Sequence, residues 1–443
     1  MCRGEQAPLL GGASIEAVIE GIGYGPYQRR MTFLTALLWC GDSMEVSLLA
    51  FLYSCVGGSF DLDSFQAASL VSIVFAGEVV GAAIAGPLAD RFGRRPLSLS
   101  SACLVGFGGL LTAGAQNFAQ FAVFRFLVGV GVGAFGVPFD LIAEFLPKDA
   151  RGRNLASLEF SWAIGAAYVA GVSWIVRRSW RFLVLACALP FVFVFVAMAL
   201  LLDESPRWLV VEGDRAAAGR VLDRVAEANG AAPPPPVGGA PQALHKQDFG
   251  EVLRRPHTWR VLLIWGTSGL GFYATSLLVT RIFGSSGGRC RFNYPFILAI
   301  SSSEFVGIAV LVRFIDSGRV PCQTAGYIGS GAALSLLALG TGTYANLALL
   351  YLGLGAMMLA TSASWVQIAE LYETEERGTA HGLAITVTRV AAFGAPYLVD
   401  SSLPLPLVAL VVATIGAIMP GLLVAGLPET AGRPLDSTTA TDN

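Results

Sequence analysis

The sequence predicts an all-α membrane protein with about twelve transmembrane helices in two pseudo-symmetric six-helix bundles. Three observations carry that reading. First, of 443 residues 54% are hydrophobic and 14% charged, and the mean hydropathy is +0.63. A soluble chain of this length would form about three domains and would need far more polar surface. Second, apolar runs of about 20 residues, the length that crosses hydrocarbon as a helix, recur along nearly the whole chain. In lipid each backbone group must be paired internally, so these runs are helices and not open strands. Third, one polar template occurs twice. Residues 144–152 (Glu-Phe-Leu-Pro-Lys-Asp-Ala-Arg-Gly) return as 370–378 (Glu-Leu-Tyr-Glu-Thr-Glu-Glu-Arg-Gly), an offset of 226 (370 minus 144). Asp90 has its echo in Asp316 at the same offset, and Glu204 in Glu429 at 225. Markers in register at the ends of apolar segments are the pattern of a duplicated membrane bundle.

In chain order, residues 1–29 form a tail and 30–202 a first bundle, with spans near 30–56, 67–89, 97–115, 118–142, 158–176 and 180–202. Residues 203–256 link the halves. A second bundle, 257–427, has spans near 258–283, 295–315, 324–340, 345–368, 379–399 and 405–427, and 428–443 form a closing tail. The 52 glycines would break soluble helices, but in a bilayer they let helices approach closely. In the linker, residues 206–230 alternate apolar and charged residues as a surface helix does. Residues 231–241, with four consecutive prolines, should be a stiff exposed tether, and 247–258 an interfacial lead-in to the seventh span. Arg91, Arg94, Arg95, Lys148, Arg151, Arg153, Arg313, Arg319 and Arg377 fall on one side if both tails are cytoplasmic. Arg177, Arg178, Arg181, Arg289 and Arg291 fall on the other, so the basic bias favours both ends inside.

Some chemistries find no support. Seven cysteines show no C-x-x-C spacing, so neither a zinc site nor a disulfide framework is indicated, although Cys290 and Cys55 fall near external loops where a bridge is conceivable. His245, His257 and His381 form no cluster, and no metal or cofactor is expected. Residues 131–136 fit G-x-G-x-x-G literally, but they lie in a membrane span with no preceding strand, so helix packing explains them better than a dinucleotide. No phosphate-binding loop supports ATP-driven transport; a net charge of −2 says nothing about partners, and no nucleic acid is expected among them. Residues 5–10 have the acidic-dileucine spacing of a sorting signal, and the first thirty residues lack the pattern of a cleavable one.

Residues 86–95 (Gly-Pro-Leu-Ala-Asp-Arg-Phe-Gly-Arg-Arg) resemble the loop motif between the second and third helices of the major facilitator superfamily. Residues 125–131, 144–152, 204–208 and 428–433 are similar to the sugar-porter and organic-ion-transporter set, and the match runs from 17 to 435. Residues 21–25 with Gln28, 41–45, 72–77, 160–165, 303–305 and 389–390 resemble synaptic-vesicle-related proteins and their nicotinate and organic-cation relatives. The resemblance implies a secondary active transporter of a small organic solute working by alternating access, without enzymatic activity and as a monomer in the bilayer. A carboxylate such as nicotinate is one substrate class it allows, and an organic cation or a sugar is another. Residues 158–161 and 266–269 depart from the hexose-porter pattern. A vesicle-membrane receptor or trafficking partner is the competing class, which the short loops disfavour.

Asymmetry between the halves separates candidates for function from scaffold. Asp42 aligns with Ser268, Glu45 with Gly271, Arg125 with Tyr351 and Arg389 with Ala163, so four intramembrane charges lack a twin. Each would cost roughly 3 kcal/mol or more at the bilayer centre, so each should face a cavity or an opposite charge. Asp42 and Glu45 share a helix face. Arg125 is the nearest plausible partner for Asp42, and the resemblance to proton-coupled sugar porters implies that pairing, with the proton as coupling ion. A permanent structural ion pair is the alternative. Arg389 could hold a substrate carboxylate, Glu304 could be its counter-ion or meet a cation, and Trp39, Trp162, Tyr273 and Trp365 could stack on a ring or enclose a cation. Glu78 and Glu159 read as packing or gating carboxylates. Asp90, Arg91, Arg94, Glu144, Arg151, Asp316, Arg319, Glu370 and Arg377 sit at helix ends, where the resemblance implies a latch on the cytoplasmic side. The one-residue shortening at 316–319 should weaken its second half.

Overall fold

The computed structural model describes residues 13–147 (without 61 and 63), 154, 157–176, 179–238, 249–284 and 292–431 (without 341 and 373). Twelve long helices run through it: α1 Pro26–Cys55, α2 Ser64–Phe92, α3 Arg94–Ala113, α4 Phe118–Gly133 continued by Gly136–Ala143, α5 Glu159–Val176, α6 Trp180–Leu201, α7 Thr258–Phe283, α8 Tyr294–Phe314, α9 Arg319–Leu337, α10 Thr343–Leu371, α11 Thr374–Val399 and α12 Leu405–Ala413, which a π-turn (Thr414–Ile418) extends into Met419–Val424. Eleven of these are long and apolar enough to cross a membrane. The exception, α9, carries Arg319, Gln323 and several Gly and Ser residues, which lower its hydropathy but not its helicity.

The pairings repeat from one half to the other. α2 packs on α4, α3 on α6 and α1 on α5; correspondingly α8 packs on α10, α9 on α12 and α7 on α11. Two seams join the halves, α2 with α11 and α5 with α8. Glycine sets the closest approaches. A Cβ on Gly133 would lie 2.2 Å from the Glu78 carbonyl oxygen, and one on Gly165 would lie 2.2 Å from that of Cys40. These contacts bring α4 to α2 and α5 to α1 backbone to backbone, so the literal G-x-G-x-x-G stretch is a packing surface.

The predicted fourth span, one continuous run, breaks at residues 134–135. Pro138 has no N–H for the carbonyl of residue 134, which explains the break. The linker's predicted surface helix is likewise two helices, Pro206–Val211 and Arg215–Asn229, separated at Gly213 with φ +92°. The second carries an Asp214 N-cap and a left-handed Gly230 C-cap. Its apolar face meets a short helix of the N-terminal segment, Ile15–Ile22, through Val18, Ile19 and Leu222. Asn229 then ties it to the start of α1, accepting from the Tyr27 N–H at 3.0 Å and donating to Gln28 at 2.8 Å. The second part of the expected surface helix is therefore docked on the first half of the molecule. The acidic-dileucine stretch lies outside the described residues. Cys55, where a bridge was conceivable although no framework was indicated, is disulfide-bonded; its partner lies outside the described residues.

Candidate functional site

A cavity between the halves is lined by Trp39 and Asp42 of α1, Glu159 and Trp162 of α5, Trp265, Ser268, Phe272 and Tyr273 of α7, Trp365 of α10 and Arg389 of α11. Its empty space, open mouth included, is about 680 Å³. Trp365 is central to the aromatic wall. Its ring lies 5.4 Å from Trp39, 5.0 Å from Trp265 and 4.4 Å from His381, each edge-on. Five of the six expected substrate-site residues therefore line one space. Glu304 does not line it; it is buried in α8 with Oε2 lacking a hydrogen-bond partner.

The ion pairs differ from expectation. Arg125 does not pair with Asp42; its Nη1 meets Glu45 Oε2 at 2.7 Å, with both side chains all but inaccessible. Asp42 Oδ2 instead accepts from Arg389 Nη2 at 2.5 Å, across the seam. The reason is depth. Glu45 is one turn further along α1 than Asp42, about 4.5 Å, and that is the level at which Arg125 of α4 arrives. Asp42 faces the other half at the level of Arg389. Arg389 has two further neighbours. Its Nε lies 3.0 Å from Glu78 Oε2, held by charge and off the line of an aligned hydrogen bond, since neither Glu78 oxygen completes one. Its Nη1 donates to the Tyr273 hydroxyl. One guanidinium thus serves two carboxylates of the opposite half. Glu78 was read as a packing or gating carboxylate; its 226-residue spacing from Glu304 is the signal that marks it as a paired position. Glu159, read the same way, lines the cavity and accepts a hydrogen bond from Ser362 across the halves at 3.3 Å.

The helix-end charges form two related clusters on the linker side. Arg94 meets Glu144 at 2.8 Å and Asp90 at 3.8 Å. Glu204 accepts the backbone N–H groups of Arg94 and Arg95, capping α3 after Gly93, whose φ of +96° suits glycine. In the second half Arg319 grips Glu370 through two nitrogens, at 3.0 and 3.1 Å, and Asp316 at 3.3 Å. Glu429 accepts from Arg319 and Val320 after Gly318, φ +148°. The one-residue shortening has not loosened this clamp. Burial alone would raise the Glu429 carboxyl, but N–H donors from Ala431, Arg319, Val320 and Thr430 outweigh it and hold the group below the usual carboxylate range. Arg91 lies over the Phe92 ring; Arg151 and the Arg377 side chain lie outside the described residues. All the pairs here join helices within one half, and among the described residues no ion pair joins the halves on the linker side. On the opposite side the halves do touch, through Phe51 on Phe292, Phe65 on Tyr397 and Ser69 on Tyr397.

Two duplicated bundles around a central cavity that is closed on one side define a membrane carrier. The chain belongs to the sugar (and other) transporter family, whose model matches residues 41–441. It is similar to the synaptic vesicle 2-related protein of Bos taurus, 29% identical over 96% of this chain and 82% of that protein, and to that of Pongo abelii, 30% identical with the same coverage. The organic cation/carnitine transporter 7 of Arabidopsis thaliana is 24% identical over 96% of this chain and 97% of that one. In fold it matches the partially occluded inward-open xylose transporter XylE from E. coli, with a TM-score of 0.73, 19% identity, and 92% and 99% of the two chains covered. The chain is therefore an integral, multi-pass secondary transporter of a small solute in the major facilitator superfamily, and not an enzyme.

Proposed function

We propose that the chain carries a small organic ion, a carboxylate metabolite such as nicotinate being the first candidate, together with a proton by alternating access. The observation that supports this most is the sharing of Arg389 by Asp42 and Glu78 across the seam. With both carboxylates ionised the group has one excess negative charge in an apolar setting, which favours uptake of a proton. Protonation of Asp42, the carboxyl that lines the cavity, frees Nη2 of Arg389. A substrate carboxylate can then take the vacated place on the guanidinium, and a flat ring can lie among the tryptophans. Proton and anion enter together, so the loaded site is no more charged than the empty one. Glu45 and Arg125, shut away from the cavity, serve as the support that holds α1 and α4 in register, a change from the coupling role expected for them.

A second reading, an organic cation, is favoured by Glu159 and Asp42 both lining the cavity beside aromatic faces. In either case the chain works as a monomer. Residues 30–202 and 257–427 act as the rocking bundles, and the tails and the 203–256 linker lie on the cytoplasmic side, as the basic bias supports. The test is uptake of labelled nicotinate, tetraethylammonium and xylose into proteoliposomes, with and without an acid-outside gradient. Nicotinate accumulation that requires the gradient is expected. Gradient-independent equilibration sinks the coupling, and accumulation of tetraethylammonium alone moves the assignment to the cation.

A further inference from the structure

The duplication places two acids at one position. Glu78 of α2 and Glu304 of α8 are 226 residues apart, and α2 packs on α11 as α8 packs on α5. On the first seam Arg389 covers Glu78. The position 226 before Arg389 is Ala163 of α5, and the position 226 after Asp42 is Ser268 of α7. The second seam has therefore kept the acid and lacks both the arginine and the partner carboxylate. Glu304 is 4% exposed, and its Oε2 has no hydrogen-bond partner.

No charged neighbour compensates. On α5, Glu159 bonds Ser362 and Tyr168 bonds the Ala186 carbonyl. On α10, Glu370 is held by Arg319, and the other titratable side chains are Tyr344 and Tyr351. On α7, Arg260 donates to the Gly426 carbonyl, Tyr273 accepts from Arg389, and Arg281 lies by Tyr53 and Asp400 near the opposite end. Arg313 on α8 itself and Asp316 beyond it are at the linker end. None of these forms an ion pair or hydrogen bond with Glu304 among the described residues. A buried carboxylate without a cation is strongly disfavoured, whereas the neutral acid is a modest burden.

We propose that Glu304 is a second proton-binding site, separate from the Asp42–Arg389–Glu78 group, that holds its proton in this conformation and yields it when the α5–α8 seam admits water. The step is simple: the carboxyl O–H bond breaks, its electron pair stays on the carboxylate, and the proton passes to water. The position without an arginine has become a carrier of hydrogen ions, while its twin became an inter-half ion pair.

The test needs no organic substrate. Infrared difference spectra of the full chain in nanodiscs, wild type minus Glu304→Gln, should show at pH 7 one protonated-carboxyl band that belongs to Glu304. Glu304→Asp should retain the band at a shifted frequency, and Glu78→Gln should leave it in place. pH jumps on a solid-supported membrane should give a charge transient at least halved in Glu304→Gln. An unchanged spectrum or an unchanged transient overturns the proposal. Both readouts stand whether or not nicotinate is carried, so the two readings fail separately.

Discussion

Arg389 and Asp42 are 347 residues apart in the chain and 2.5 Å apart across the seam between its halves. Under the proposed alternating access, an ion pair between the two halves is a switch only if one partner can lose its charge. Arginine cannot do so. The carboxylate can.

Under the proposed coupling, Asp42→Asn fixes that switch in its uncharged form. The ratio of gradient-driven accumulation to counterflow exchange in proteoliposomes should fall at least about tenfold, equivalent to about 1.4 kcal/mol of lost coupling. A ratio equal to wild type would remove Asp42 from the coupling mechanism.

Arg125 and Glu45 should respond in a different assay. Their pair is completely enclosed, with side-chain exposures of 0% and 2%. Removing one partner of such a pair leaves an uncompensated buried charge, at a cost of about 3–5 kcal/mol. Arg125→Ala should therefore lower the melting temperature of the purified protein sharply, and Glu45→Gln combined with Arg125→Met should recover most of the loss. If both variants melt like wild type and lose only transport, the pair is functional and not structural.

Much of this architecture was legible in the residues. Eleven of the twelve helices follow from apolar run length and the even count from the duplication, and the echo of 144–152 in 370–378 lies beneath the two matching clamps, Arg94 with Glu144 and Arg319 with Glu370. Partner identity was harder to read. Periodicity places Asp42 and Glu45 on one face of α1 but is silent on which neighbouring helix reaches each level, so Arg125 was assigned to the wrong carboxylate. The partner of Asp42 sits in the other half, where no local pattern points. Glu78 was within reach, since the same offset that exposed the repeat also joins it to Glu304. The tie of the linker helix to α1 is made by single hydrogen bonds at Asn229, which leave no periodic trace.

Trp365 touches Trp39, Trp265 and His381 and so organises the aromatic wall. Trp365→Ala should raise KM for an aromatic carboxylate about threefold to tenfold, the value of one or two aromatic contacts. Trp365→Phe should retain most of the affinity. A KM unchanged in the alanine variant would show that substrate binds away from this wall.

Glu429 offers a pH signature outside the membrane. Its carboxylate accepts N–H groups from Arg319, Val320, Thr430 and Ala431, and its folded-state value is depressed relative to the unfolded chain. A depressed acid contributes stability that is complete above its unfolded value and is lost as pH falls through the folded one. Glu429→Gln should accordingly melt at a lower temperature than wild type at pH 7. That difference should shrink as both are acidified below the ordinary carboxylate range of about 4.3, because wild type then loses the charge that the variant never had. A gap that stays constant down to pH 3 would mean that the glutamate acts through its shape, with the four N–H groups indifferent to its charge.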